Sequence, residues 1–427
     1  MYPTLAAMRL AYERGEATPA VVTEEFLARA NSNPGHNVYL SLDAERVLAE
    51  AAALPERFPD ADARPLLYGV PVSLKDCFDL AGAVTTCGSR FYAKKNEVAL
   101  QDSVVAARLR QAGAVIVGKT HLHQLAYGIT GENSDFGDCR QPLHPERLTG
   151  GSSSGAAASV QEGSALAGIG TDTGGSIRTP AALCGLAGYR ASHGLANRLG
   201  LWKGGVHLAQ SFDTLGWLYK NLSDGPLLAE ALFGLEQISA LAKEVRIGVV
   251  NSAFLHDCDA DVLEMFAGCR AQMAQAGAQL GEFDAMYWNN APETFVAIQA
   301  SESAAIHAGN FAEFELAIRE RLEWGASLSA AEIERMREQH EAFRARMDQL
   351  FTQFDFVMLP CAPMSALLAG ADNSSIRTRI LRYTAAGSMG GNPIVTLPGR
   401  SGGVQLMAAR GDDARLLAWT AQVEPAF

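Results

Sequence analysis

Gly150-Gly151-Ser152-Ser153-Ser154-Gly155 and, further along, Gly170-Thr171-Asp172-Thr173-Gly174-Gly175-Ser176-Ile177-Arg178-Thr179-Pro180-Ala181 are two glycine-bound serine turns. Between them the small residues Ala156, Ala157, Ala158 and Ser159 continue the first turn into a tightly packed helix. Residues 165–170 then read as a buried strand. Upstream, residues 67–76 (Leu-Tyr-Gly-Val-Pro-Val-Ser-Leu-Lys-Asp) form a second apolar strand, with proline marking its start or an edge and Lys75 at its far end. Residues 103–112 have a helical pattern, residues 114–117 a continuous apolar strand, and residues 121–127 a helical pattern again. Such alternation belongs to parallel strands joined by crossover helices. The expected fold is α/β: a mixed, mainly parallel central sheet flanked by helices on both faces.

The rest of the chain fits one domain over residues 1–427. Thr18 caps a helix that begins at Pro19, and an alanine-rich helix spans residues 44–54. Residues 60–225 and 355–427 carry the core. In the latter, residues 354–360, 393–398 and 404–407 are apolar strands that rejoin the same sheet. Residues 227–350 differ, with a strand at 246–250 and long charged amphipathic helices at 260–277 and 330–351, and are read as a variable helical region partly covering the pocket. No proline-, glycine- or serine-rich linker separates two units, and no repeat is present.

The 427 residues carry 35 Lys and Arg against 47 Asp and Glu, a net charge of −12. An acid excess disfavours a nucleic-acid backbone as partner, because neutralising phosphates takes a basic face. The first residues lack the apolar core of a signal peptide, and nowhere do 18 uncharged apolar residues run together, so a cytoplasmic location without membrane association is expected. Seven scattered cysteines (Cys77, Cys87, Cys139, Cys184, Cys258, Cys269 and Cys361) show neither paired nor zinc-ligand spacing. They read as reduced, buried thiols.

Two short motifs compete for attention. Gly113-Ala114-Val115-Ile116-Val117-Gly118-Lys119-Thr120 fits the phosphate-loop pattern letter for letter, but its four inner residues favour strand where that motif needs loop, and a helix precedes it. Gly151 to Gly155 fits a nucleophile elbow centred on Ser153, which requires a strand directly before the serine. Residues 143–149 read instead as a proline-interrupted loop. His193, His207, His256, His307 and His340 follow in the right order but have no distinguishing setting.

A serine–serine–lysine site uses more of the unusual residues. A serine hydroxyl needs a base, and lysine serves only where desolvation keeps it neutral near pH 7; Lys75 at an apolar strand end meets that condition. Glycines let backbone amides approach a developing oxyanion.

On these residues, together with Gly69-Val70-Pro71-Val72-Ser73-Leu74-Lys75-Asp76 and Cys184-Gly185, the chain resembles the amidase signature family, most closely over residues 65–220 and again over 355–410. The resemblance implies Ser176 as acyl-forming nucleophile, Lys75 as base, and Ser152, on a cis peptide, as the relay between them. It implies an oxyanion hole from the backbone amides of Thr173, Gly174, Gly175 and Ser176. Ser153 would orient the relay, Asp172 and Arg178 would brace the site, and Tyr127, Gly128, Thr130 and Gly131 would lie beside the substrate. No metal or cofactor is implied, and a homodimer is compatible with it.

The implied activity is hydrolysis of a small-molecule amide to a carboxylate and ammonia or an amine. The segments 189–194 and 209–217 are more similar to members acting on small aryl- or alkyl-acetamides. The alternatives are the glutaminase subunit of a tRNA-dependent amidotransferase and, in another class, a catalytically silent binding protein on the same fold.

Overall fold

The computed structural model describes residues 2–30, 32–238, 245–399 and 402–423. Its main sheet has eleven strands among the described residues. Their order across the sheet is Tyr39–Ser41, Val115–Thr120, Pro71–Lys75, Ala167–Asp172, Thr214–Tyr219, Ala187–Arg190, Ile394–Leu397, Val404–Ala408, Phe356–Pro360, Arg246–Val250 and Gln279–Phe283. The carboxyl-terminal strands do rejoin the sheet of the amino-terminal half. Every residue of the six-residue central strands Ala167–Asp172 and Thr214–Tyr219 is buried. Because successive side chains point to opposite faces, both faces there are covered.

The sheet is mixed, with less parallel pairing than the alternation of elements predicts. Pro71–Lys75 runs parallel to Val115–Thr120 and to Ala167–Asp172, and Arg246–Val250 runs parallel to Gln279–Phe283 and Phe356–Pro360. The other neighbouring pairs are antiparallel. Short connections explain part of this: the link between Ile394–Leu397 and Val404–Ala408 is shorter than the dozen or so residues a parallel crossover requires. The strand Gln279–Phe283 has no strand signal in the sequence, since its residues are mostly exposed or half-buried at the sheet edge.

Local chemistry sets the elements. Ser103 Oγ accepts from Ala106 N at the start of the helix Val104–Gln111, and Thr18 Oγ1 accepts from Val21 N at the start of Pro19–Ala30. The segment after Thr120 departs from its helical pattern. Only a single 3₁₀ turn forms at Gln124–Ala126, because Leu125 and Ala126 take φ of +56° and +58°, outside any right-handed helix. Residues His144–Leu148, expected to be loop, form a strand of a small separate sheet with Arg140–Gln141 and Leu367–Leu368. Pro145 is tolerated there because the strand is largely exposed.

The helix Ser154–Glu162 lies very close to the sheet. A Cβ on Gly168 would fall 2.4 Å from the carbonyl oxygen of Ala156, so glycine in the strand and alanine in the helix permit the contact. Gly168→Ala is therefore expected to lower stability by about 1–3 kcal/mol and to displace the serine turn at the head of that helix. Gly268→Ala, in the exposed face of Ala260–Gln275 with open space around it, is expected to stabilise by about 0.5–1 kcal/mol. Denaturant midpoints of both variants check the pair.

Candidate active site

Lys75 closes its strand, the third of the eleven, and is wholly buried. Its Nζ lies 2.9 Å from Ser152 Oγ and 2.8 Å from Thr171 Oγ1. Both partners are hydroxyls, and no ion pair to Lys75 occurs among the described residues. Burial pushes the amine down to about 8, against weaker upward pulls from Cys77, Asp172 and Asp213. Ser152 follows a cis peptide bond from Gly151.

The second turn lies against the first. The Ser153 amide donates to the Ser176 carbonyl at 3.1 Å, and Ser153 Oγ donates to the Thr171 carbonyl at 3.1 Å. Ser153 thus fixes the residue whose hydroxyl meets Lys75. Ser176 retains 5% exposure while Ser152 and Lys75 retain none, so solvent reaches the expected nucleophile before the groups behind it.

Asp172 organises the turn that carries Ser176. Its Oδ1 accepts from Gly175 N at 2.9 Å, and its Oδ2 accepts from Ile177 N at 3.1 Å and Arg178 N at 3.3 Å. Arg178 adds Nε to Oδ2 at 3.0 Å and Nη2 to Oδ1 at 2.9 Å, and Arg190 Nη1 reaches Oδ1 at 2.9 Å. Burial alone would raise this carboxyl; the two guanidinium groups outweigh it and hold the group well below the usual carboxylate range. Because Gly175 N–H is committed to Asp172, it leaves the expected oxyanion set, which becomes Thr173, Gly174 and Ser176.

Arg178 also donates to the Thr384 carbonyl, Gln405 Oε1 and Ser388 Oγ, and Thr384 Oγ1 donates to the Gly174 carbonyl at 2.6 Å. The helix Ile376–Gly390 is thereby tied to the nucleophile turn. A Cβ at Gly174 would lie 2.7 Å from Phe295 and 3.1 Å from Leu381, which places side chains of Ala291–Ile306 and Ile376–Gly390 over the turn. Phe295 comes from the region read as variable.

Of the residues expected beside the substrate, Gly131 packs on the first turn: its Cβ would fall 2.8 Å from the Gly150 carbonyl. Nearby, Gly151 N donates to the Ile129 carbonyl and His123 N to the Ser152 carbonyl. Gly128 and Thr130 line a cavity of about 430 Å³ with His123, Glu315, Arg321 and Arg377. Tyr127 is buried behind it, beneath the guanidinium groups of Arg321 and Arg377.

Thr171, Arg190, Thr384 and Gln405 carry contacts that sequence reasoning does not assign. Thr171 stands inside the quoted motif, and its hydroxyl one residue before Asp172 is the signal that could find it. The others come from separate elements, with no local signal. The five histidines are engaged elsewhere: His193 with the Gln210 carbonyl, His207 with Asp213, His256 with the Ala253 carbonyl, His307 with Tyr92 and His340 with the Met389 carbonyl. All seven cysteines are unpaired. In the phosphate-loop look-alike, Val115–Thr120 is strand and Lys119 Nζ pairs with Asp76 at 2.6 Å.

Comparison with known proteins places this geometry. The A-type subunit of the glutamyl-tRNA(Gln) amidotransferase from Roseiflexus sp. is 30% identical over 97% of this chain and 94% of its own length. Its counterpart from Koribacter versatilis is 32% identical over 73% of this chain and 66% of its own. Among solved structures, an amidase superposes with a TM-score of 0.87 at 29% identity over 99% of each chain. A protein described in a vestigial complex bearing on the origins of an s-triazine catabolic enzyme gives 0.87 at 27% identity, over 98% of this chain and 97% of that one. The sequence-based leaning toward acetamides gains no support from these curated relatives, which carry the amidotransferase name. The amidase family model matches residues 21–417, and the chain belongs to that family of amide-hydrolysing enzymes.

Proposed function

We propose that Ser176 attacks the carbonyl carbon of a small-molecule amide and that Lys75 drives the attack through Ser152. The observation that carries this reading is a wholly buried amine, brought down to about 8, at 2.9 Å from the Ser152 hydroxyl. As Ser176 Oγ bonds to carbon, its proton passes to Ser152 Oγ, whose own proton passes to the lone pair of Lys75. The carbonyl oxygen becomes an oxyanion facing the amides of Thr173, Gly174 and Ser176. On collapse the C–N bond breaks, and the nitrogen leaves as ammonia or an amine with the proton returned through Ser152. Water then attacks the acyl-serine by the same relay in reverse and releases the carboxylate. Asp172 and Arg178 hold the turn and touch no reacting atom.

A second reading draws on the names of the relatives: the same chemistry would release ammonia from glutamine for a partner protein. Ammonia release by the isolated chain from glutamine, primary acetamides and ureido compounds, compared with release in the presence of co-purifying proteins, separates the two. Ser176→Ala is expected to lose both turnover and labelling by a phosphonofluoridate; a variant with full turnover would overturn the assignment.

The pH dependence follows from Lys75. Only the neutral amine accepts a proton, so kcat/KM is expected to fall about tenfold per unit below a midpoint near 8; rate–pH profiles check this, and a flat profile from pH 6 to 9 contradicts it. Asp172→Asn leaves Arg178 and Arg190 buried without their carboxylate. It is expected to cost about 3–5 kcal/mol of stability and to slow phosphonofluoridate labelling of Ser176, read by denaturation and by labelling rate.

A further inference from the structure

Building on that reading, we infer that Asp213 is a positioning residue of the reaction: through the Thr173 hydroxyl it holds the Thr173 amide at the place where the oxyanion forms. The amides of Thr173, Gly174 and Ser176 have no acceptor among the described residues, whereas that of Gly175 has one. The whole turn is nevertheless buried. Buried backbone N–H groups are almost always paired, so three free ones in a single turn mark a place kept for a ligand oxygen. How well they converge on it depends on how each residue is held.

Gly174, Gly175 and Ser176 are fixed through their own backbone. The Gly174 carbonyl accepts from Thr384 Oγ1 at 2.6 Å, the Gly175 carbonyl from Thr179 N at 2.7 Å and the Ser176 carbonyl from Ser153 N at 3.1 Å. Thr173 is held differently, by its side chain: Oγ1 donates to Asp213 Oδ1 at 2.6 Å. The peptide before it is fixed at one further point, where Arg190 Nη1 donates to the Asp172 carbonyl at 2.6 Å. In a planar trans peptide the carbonyl and the following N–H point in opposite directions, so Arg190 aims the Thr173 N–H away from itself. One contact leaves that plane free to pivot about the carbonyl. The contact between Thr173 and Asp213 removes the freedom.

Asp213 suits this role because its two oxygens are divided. Oδ2 accepts from Leu208 N at 2.9 Å and Ala209 N at 3.1 Å, and His207 Nδ1 lies 2.9 Å from it; Oδ1 is left for Thr173. The carboxylate is buried and cannot turn without leaving donors unpaired. Its own segment is braced in turn. Ser303 Oγ donates to the Leu208 carbonyl at 2.9 Å, Ser211 N donates to Glu302 at 3.0 Å, and Arg190 Nη2 donates to the Phe212 carbonyl at 3.2 Å. Asp172 and Asp213 therefore grip one turn from its two sides, the first through the amides of Gly175, Ile177 and Arg178 and the second through the Thr173 hydroxyl.

The test uses Thr173→Val, which keeps the β-branched shape and removes the hydroxyl, beside Thr173→Ser, which keeps the hydroxyl. Two rates are read: phosphonofluoridate labelling of Ser176 at saturating reagent, and kcat for ammonia release from the best of glutamine, primary acetamides and ureido compounds. Outright loss of an oxyanion donor costs about 10²–10³ in rate, so a displaced donor in Thr173→Val is expected to lower both rates by about tenfold or more. KM and the half-saturating reagent concentration should stay within about twofold, because the contact is made in the transition state. Thr173→Ser should retain most of the rate. Asp213→Ala should match Thr173→Val, with the double variant no slower than the slower single one. The Asp213 carboxylate that bears on Lys75 is still present in Thr173→Val, so the midpoint near 8 of the rate–pH profile is expected to stay. Thermal midpoints check folding, and if Asp213→Ala does not fold the two Thr173 variants decide. Unchanged rates in folded Thr173→Val, a loss carried by KM alone, or a displaced pH midpoint overturns the role while labelling of the wild type leaves the acyl-enzyme reading standing. A wild type that is neither labelled nor releases ammonia removes both.

Discussion

The structure around Ser176 depends on one buried carboxylate. Asp172 ends a central strand and accepts from three backbone amides of the next turn and from two arginines, all without solvent. Burying one cation against it would leave lone pairs unfilled, and burying none would leave the charge unsolvated; two guanidinium groups plus backbone amides satisfy it. Through Arg178 the same centre fastens the helix Ile376–Gly390 and the strand Val404–Ala408, elements more than 200 residues away in sequence. The position of the Ser176 turn is consequently set by the packing of both halves of the sheet.

Lys75 and Lys119 are neighbouring, equally buried lysines with different partners. They stand on adjacent parallel strands, with Leu74 opposite Lys119. Lys119 meets the carboxylate of Asp76 at 2.6 Å. Lys75 meets only hydroxyls at 2.9 and 2.8 Å, which solvate either form and favour neither strongly. Desolvation then decides, and the amine is brought down to about 8. The two surroundings differ by one carboxylate, present beside Lys119 and missing beside Lys75 among the described residues.

Much of this is legible in the sequence for a physical reason. Glycine-bound serine turns, an alanine-rich helix head and an apolar strand ending in lysine are local patterns that give the strands and the candidate groups, while the pairing of Lys75 with Ser152 is implied by the family resemblance. The long-range partners of those patterns are not legible. Arg190 sits two strands across the sheet from Asp172, and Thr384 and Gln405 answer Arg178 from the far end of the chain. Alternating elements overstate the parallel share of the sheet because they do not reveal which edge a returning strand joins. Gly175 falls among the expected oxyanion donors because its amide's commitment to Asp172 is a matter of turn geometry, which letters do not encode.

The two buried groups both make stability rise with pH, in separate windows. Asp172 has its folded-state pKa depressed, so its contribution is present above the unfolded carboxylate value and is lost only as pH falls through the lower folded one. Lys75 also has its folded value depressed, to about 8 from 10.5, so the sign is the same and only the window differs. Between those values the unfolded chain binds the extra proton, so raising the pH across that window favours the fold by about 3 kcal/mol in all. Below about 8 the fold carries the whole cost of confining the ammonium form. Near neutral pH the paired Asp172 centre is fully ionised, and its network supplies the rigidity against which Lys75 can be kept short of a counter-charge.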